Sequence, residues 1–203
     1  MSRGKFITLE GVDGAGKSTH LESIAGRLRV PGRELLVTRE PGGTPLAEKL
    51  RALLLADEMD AVAETLLMFA ARADHVRQVL APALARGAWI VCDRFTDATF
   101  AYQGAGKGVP RKLIEELARA AHPGLLPDRT LVFDCPYEVS RKRLQGSGRP
   151  LDRFERQGRE FFERVRKGYL AAAEAEPDRI QVIDSTGSEH EIKLLVKNSI
   201  ANV

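Results

Sequence analysis

The sequence predicts a three-layer α/β sandwich on a five-stranded parallel sheet, and two observations carry that expectation. Five short apolar runs, rich in β-branched residues, recur at Phe6–Leu9, Leu35–Thr38, Trp89–Cys92, Thr130–Phe133 and Ile180–Ile183. Each is nearly uniformly apolar, as a strand covered on both faces must be. Segments of helical period separate consecutive runs, so strand and helix alternate along the chain.

With 203 residues and 43% hydrophobic content, the chain suits one domain spanning 1–203. No stretch approaches the roughly 18 consecutive apolar residues of a membrane helix. Met1–Lys5 passes into the first strand without a signal-type apolar region, so a cytoplasmic protein with no membrane partner is expected. Net charge is +3 and the sequence pI about 9.0. The arginines fall in motifs rather than in one run, and no aromatics interleave with them as a strand-stacking groove requires, so no nucleic acid is expected. Cys92 and Cys135 each lie near the end of an apolar run and read as small buried thiols, not a disulfide.

The first strand runs straight into Gly11-Val12-Asp13-Gly14-Ala15-Gly16-Lys17-Ser18, which satisfies G-x-x-x-x-G-K-[ST], and a helical pattern follows from Thr19. Strand before and helix after are the context this phosphate-binding motif needs. Glycines let successive N–H groups curl toward phosphate oxygens, and the helix adds its positive N-terminal end. Residues Gly11–Thr19 are therefore the candidate triphosphate cradle, with Lys17 reaching the β and γ phosphates and the Ser18 hydroxyl on Mg²⁺.

The second strand ends in Thr38-Arg-Glu-Pro-Gly-Gly-Thr44, a tight loop beside the cradle. Arg39 there suits an acceptor phosphate, because a planar guanidinium donates two parallel hydrogen bonds and stays charged. Helices are expected over Pro45–Leu55 and Ala61–Arg86, broken by the polar Asp57–Asp60. The third strand ends in Asp93-Arg94, at the carboxyl edge where ligands of open α/β sheets bind. Asp93 is expected to hold Mg²⁺ through water. Arg94 stands where ATP-hydrolysing motors carry a water-polarising glutamate, and it attracts a second phosphate instead, which favours transfer over hydrolysis. A guanine-reading N-K-x-D is absent, the only asparagines being Asn198 and Asn202. Between two helices, Gln145–Pro150 carries two glycines, a serine and a proline and reads as a mobile flap, part of a lid at about 144–156. Ser188–Val203 reads as a closing amphipathic helix.

Through Gly11–Ser18, Thr38–Thr44, Asp93-Arg94-Phe95, Ala101-Tyr-Gln-Gly104 and Leu151-Asp-Arg-Phe-Glu155, in order from about residue 5 to about residue 185, the chain resembles the thymidylate kinase family. The resemblance implies the P-loop nucleoside monophosphate kinase fold. It also implies transfer of the γ-phosphoryl group of ATP, with Mg²⁺, to dTMP, giving dTDP and ADP for dTTP synthesis. It puts the acceptor's phosphate on Arg39 and Arg94, and Asp13 near the sugar 3′-hydroxyl. The base pocket falls on Phe69, Arg72 and Gln103, with Thr99 beside it and Tyr102 near the 2′ edge. An aromatic face suits a pyrimidine ring, and a donor and an amide suit its O4 and N3–H. In many relatives the stacking aromatic precedes the arginine by four positions; here Met68 holds that place and Phe69 precedes by three, so either side chain is open to the role. Because the loop carries Gly14 rather than an arginine, the chain resembles the bacterial type whose lid supplies a catalytic arginine. The L-D-R motif gives that task to Arg153, beside Lys17, Asp93 and Arg94, and leaves Arg149 a solvated lid charge. A homodimer through the long helices is also implied. The rival readings are another nucleoside monophosphate kinase and a nucleotide-controlled binding protein.

Overall fold

In the computed structural model, which describes residues 3–201 and 203, each apolar run is a strand that extends one or two residues past its apolar part at the carboxyl end. The strands are β1 (Phe6–Gly11), β2 (Leu35–Arg39), β3 (Trp89–Asp93), β4 (Arg129–Asp134) and β5 (Ile180–Asp184). The extra residues are Glu10, Gly11, Arg39, Asp93, Asp134 and Asp184, so all but one of them bring charge to the sheet's carboxyl edge. All pairings are parallel, in the order β2-β3-β1-β4-β5. The chain leaves β1 toward one side of the sheet and later returns to its other side. The switch point, where a crevice opens, is therefore at the end of β1.

Nine α-helices connect the strands among the described residues: α1 (Lys17–Leu28), α2 (Pro45–Ala56), α3 (Ala61–His75), α4 (Ala81–Ala85), α5 (Thr96–Thr99), α6 (Arg111–Ala121), α7 (Tyr137–Gly146), α8 (Arg159–Ala175) and α9 (Glu189–Ile200). Their starts follow local chemistry. Thr44 caps α2 by accepting from the Ala47 N–H at 3.1 Å, with Pro45 at the first helical position where its missing N–H costs nothing. Asp60 caps α3, which is why the polar Asp57–Asp60 break separates two helices. Ser188 and Glu191 form a capping box at α9.

The expected helix Ala61–Arg86 is continuous but not uniform: α3 widens into a π turn at Val76–Leu80 before α4. Pro82, just beyond, supplies no N–H and would crowd the carbonyl four residues back, and the wider turn accommodates it. A second π turn, Phe100–Gly106, follows α5.

Side chains alternate across the sheet. Phe6, Ile90 and Cys92 pack with Val76, Leu80 and Leu84 on one face. Ile7, Leu9, Val91, Leu131 and Phe133 join Ile24 of α1, and Ile192 and Val196 of α9, in the larger core. The polar Thr8 and Thr130 inside this sheet satisfy each other at 2.8 Å. Cys92 and Cys135 are buried free thiols, as expected.

Candidate functional site

The loop after β1 is shaped by glycines at positive φ: Gly11 at 125°, Gly14 at 73° and Gly16 at 95°. At Gly11 a Cβ would lie 2.2 Å from the Phe133 carbonyl oxygen, so no other residue lets β1 and β4 close there. Helix α1 starts at Lys17 and directs its N-terminal end at the loop. The buried Lys17 ammonium donates to the Gly11 and Val12 carbonyls, each at 3.0 Å. Burial, with Arg94 nearby, pushes its pKa below the ordinary lysine value. From α7, Ser140 Oγ donates to the Asp13 carbonyl at 2.7 Å, bracing the loop, and Arg143 donates to the Ser185 carbonyl at 2.6 Å beside it. Asp13–His20, Arg143, Ser147 and Arg149 line one wide cleft.

A second cleft opens beside it, lined by Arg39, Arg51, Met68, Arg72, Thr99, Tyr102 and Gln103. Asp13, Arg51, Asp93, Arg94 and Asp152 line both, so the clefts meet at one shared wall.

Arg94 holds that wall. Its backbone is left-handed, φ 71°, which turns its side chain back over the loop. Nη2 donates to Asp13 Oδ1 at 2.6 Å and to the Tyr102 hydroxyl oxygen at 3.0 Å, and Nη1 donates to the Gly11 carbonyl at 2.9 Å and the Tyr169 hydroxyl oxygen at 3.0 Å. Tyr102 in turn donates to Asp13 Oδ2 at 2.9 Å. Burial works to raise the Asp13 pKa, but Arg94 and Lys17 outweigh it and hold the carboxyl below its ordinary value. Beneath lies Glu10, wholly buried, which accepts from the Phe95 N–H at 2.7 Å and from the Tyr169 hydroxyl at 2.8 Å. Burial, reinforced by the Asp97 carboxylate, pushes its pKa up to about 8. Asp93 Oδ1 is buried with no hydrogen-bond partner among the described residues, which suits a carboxylate that serves a hydrated cation.

Arg39 pairs with Glu48 at 3.0 and 2.8 Å and is half exposed at the cleft mouth. Arg51, one turn further along α2, donates to the Pro41 carbonyl at 2.9 Å. Burial, with Arg39 close by, pushes its pKa down. Arg72 is held on three sides: Nε to Glu40 at 2.7 Å, Nη1 to Thr99 Oγ1 at 3.1 Å and Nη2 to the Phe95 carbonyl at 3.1 Å. His75 Nδ1 meets the other Glu40 oxygen at 2.9 Å.

Two of the expected residues lie away from both cleft walls. Phe69 is not on the cleft wall: it is 3% exposed, packs with Val109 and Ile114, and stacks on His122 with ring centres 6.4 Å apart. Met68 lines the cleft instead. Residues four apart on a helix share a stripe, so Met68 stands over Arg72 while Phe69 is turned about 100° away. Phe69 contributes indirectly, its ring 4.7 Å from the Arg72 guanidinium carbon. Arg153 does not face the phosphate loop either. It is 7% exposed, its Nε donates to the Leu54 carbonyl at 2.5 Å and its Nη2 meets Glu64 Oε2 at 2.5 Å. The buried carboxylate of Glu64 pulls it inward, leaving Arg149 as the arginine of the α7–α8 segment that lines the loop's cleft. Arg149 forks onto Glu155 and keeps half its side chain exposed.

Sequence reasoning missed Arg51 and the three buried carboxylates Glu10, Glu40 and Glu64. Arg51 had a signal, since it lies three residues after Glu48 on the helix entered from the Arg39 loop. Glu10 and Glu40 also had one, each beside a residue that had been singled out.

A family model described as Thymidylate kinase matches residues 9–196. The thymidylate kinase of Methylobacillus flagellatus is 60% identical over 182 residues, covering 90% of this chain and 89% of that one. That of Cupriavidus metallidurans is 53% identical over 201 residues, covering 99% and 100%. Among solved structures, the crystal structure of thymidylate kinase from Ehrlichia chaffeensis has a TM-score of 0.78 at 32% identity, covering 97% of this chain and 98% of that one.

Proposed function

The chain belongs to the thymidylate kinase family and is a phosphotransferase, and from that premise we propose that it moves the γ-phosphoryl group of ATP onto dTMP across the wall where its two clefts meet. That shared wall carries the reading. Asp13, Arg51, Asp93 and Arg94 face both clefts, so a triphosphate on the loop and a monophosphate in the second cleft meet end to end.

The triphosphate lies along the backbone of Gly11–Thr19, with Lys17 leaving the Gly11 and Val12 carbonyls for the β and γ phosphates. Arg39, Arg51 and Arg94 take the acceptor phosphate. Met68 supplies the face against the base, Arg72 and Gln103 read its edge, and Tyr102 crowds the 2′ position. An acceptor phosphate oxygen is already anionic near neutral pH, so positioning and charge stabilisation suffice without a strong general base. Ser18 and the unpartnered Asp93 carboxylate fit Mg²⁺, which when bound neutralises charge on the β and γ phosphates. Residues 144–156 act as the lid. Of the two lid arginines, Arg149 takes the catalytic task because it lines the loop's cleft, and Arg153 anchors the lid through Glu64.

Leu46 and Leu53 of α2, with Val62 and Leu66 of α3, are exposed at 40–50%, an apolar face that supports a homodimer through these helices. No helix among the described residues is long and apolar enough to cross a membrane, and the cytoplasm, which supplies ATP, is the proposed setting.

ADP release measured with ATP and Mg²⁺, with and without dTMP and with dUMP, dCMP, AMP and GMP as alternatives, tests the whole reading. Release that appears with dTMP and weakly with dUMP supports it. Release independent of any monophosphate leaves the cradle standing and removes the acceptor site.

A further inference from the structure

Gln103, one of the two side chains assigned above to the base edge, has two nearly isosteric ends with opposite hydrogen-bonding character, and the base it accepts depends on which end faces the cleft. We propose that Glu64 decides this, acting as the positioning residue that makes the pocket select a pyrimidine carrying N3–H and a 4-oxo group. The inference rests on the assignment of Arg72 and Gln103 to the base.

Glu64 lies on α3 one turn before Met68 and is wholly buried. Its Oε1 is 2.7 Å from Gln103 Nε2. Against a carboxylate oxygen only the amide NH₂ can stand, because a carbonyl oxygen there would leave two acceptors in contact. The Gln103 carbonyl is therefore turned away from Glu64, toward the cleft that Gln103 lines. The second Glu64 oxygen meets Lys107 Nζ at 2.7 Å and Arg153 Nη2 at 2.5 Å, two cations that offset the buried charge. Each carboxylate oxygen thus has its own duty.

Arg72 is fixed by the same device. Of its five N–H groups, three are engaged by Glu40, Thr99 and the Phe95 carbonyl, and the remainder can serve only as donors. The cleft so presents an acceptor from Gln103 and a donor from Arg72. Thymine and uracil complement both. Cytosine, with an unprotonated N3 and a 4-amino group, is mismatched at both. Without Glu64 the Gln103 amide is free to turn over, and one of the two discriminating contacts is lost.

The test is the ratio of kcat/KM for dTMP to that for dCMP, which does not depend on the folded fraction of a preparation. Glu64→Gln can donate its own NH₂ to the Gln103 carbonyl and reverse it, so the ratio should fall at least about tenfold, through loss on dTMP and gain on dCMP. Glu64→Asp keeps a carboxylate for Lys107 and Arg153 but draws back from Gln103, and should lower the ratio in the same direction; it decides the matter if the glutamine variant does not fold. Lys107→Met disturbs the same buried cluster without touching Gln103, and should lower thermal stability while leaving the ratio as it is. Gln103→Ala is the control on the premise. A ratio that falls in Gln103→Ala but not in either Glu64 variant overturns the proposal alone. A ratio unchanged in Gln103→Ala removes the base-edge assignment, and the proposal with it.

Discussion

Replacing Glu10 by glutamine should flatten the dependence of this protein's stability on alkaline pH. The Glu10 carboxyl has a pKa near 8 in the folded chain because it is buried beside Asp97, against an ordinary value of 4.5. Between those limits the folded state holds a proton that the unfolded state has released, so stability declines as pH rises. The contribution of the protonated form is present in full below 4.5 and is gone above 8. At about 1.4 kcal/mol per pH unit, the interval from pH 6 to pH 9 costs about 3 kcal/mol, nearly all of it before pH 8. For a chain of this size that corresponds to roughly 5–10 °C in Tm. Glutamine cannot ionise, yet its oxygen can accept from the Phe95 N–H and its nitrogen can donate to the Tyr169 hydroxyl oxygen, the two atoms that Glu10 now touches. Thermal melts of the parent and Glu10→Gln at pH 6, 7, 8 and 9, at matched ionic strength, should therefore lie close together at pH 6, separate up to pH 8 and diverge little further by pH 9. Parallel curves would refute the argument, since the slope would then belong to other groups.

Arg149→Ala should lower kcat by about a hundredfold or more while leaving the KM for dTMP nearly unchanged; Arg153→Ala should act chiefly on thermal stability, and the opposite pattern would return the catalytic task to Arg153. Arg51→Met should lower kcat/KM for dTMP by roughly a hundredfold, the worth of charge-assisted contacts to a phosphate, as read from steady-state kinetics. Phe69→Ala should destabilise the fold by about 3 kcal/mol in denaturant unfolding, as a large-to-small core change. Met68→Ala should raise the KM for dTMP with little loss of stability, so a reversed pair of results would put Phe69 back against the base.

The sheet was legible because each strand carries its apolar residues as one unbroken run, and the phosphate loop because glycine spacing dictates its backbone. Strand ends were legible through their motifs rather than their hydropathy: the apolar pattern stops short of Arg39 and Asp93, which pair with each other across β2 and β3. Side-chain direction was the weakest point. Met68 and Phe69 are adjacent in sequence, and only the packing of α3 against Val109 and Ile114 of the following segment decides which is buried. Arg149 likewise lines the loop's cleft while Arg153 turns inward, because Glu64 lies buried opposite the lid, a fact carried by a residue 89 positions earlier than Arg153. Motif spacing identified the lid as arginine-bearing; long-range charge decides which arginine lines the cleft.

The π turn at Val76–Leu80 bears on how the helix through it keeps time. Glu64, Met68, Arg72, Val76, Leu80 and Leu84 stand at strict intervals of four, the first three directed to the cleft region and the last three to the core. In an unbroken α-helix such a series precesses by about 40° per step and would carry its ends to opposite sides. The wider turn takes back part of that precession, acting as a phase adjuster between a reading half and an anchoring half. Removing one residue from the turn would therefore leave Leu80 and Leu84 seated while swinging Met68 and Arg72 off the cleft wall, a loss of the proposed recognition caused by a change that touches no residue lining the cleft.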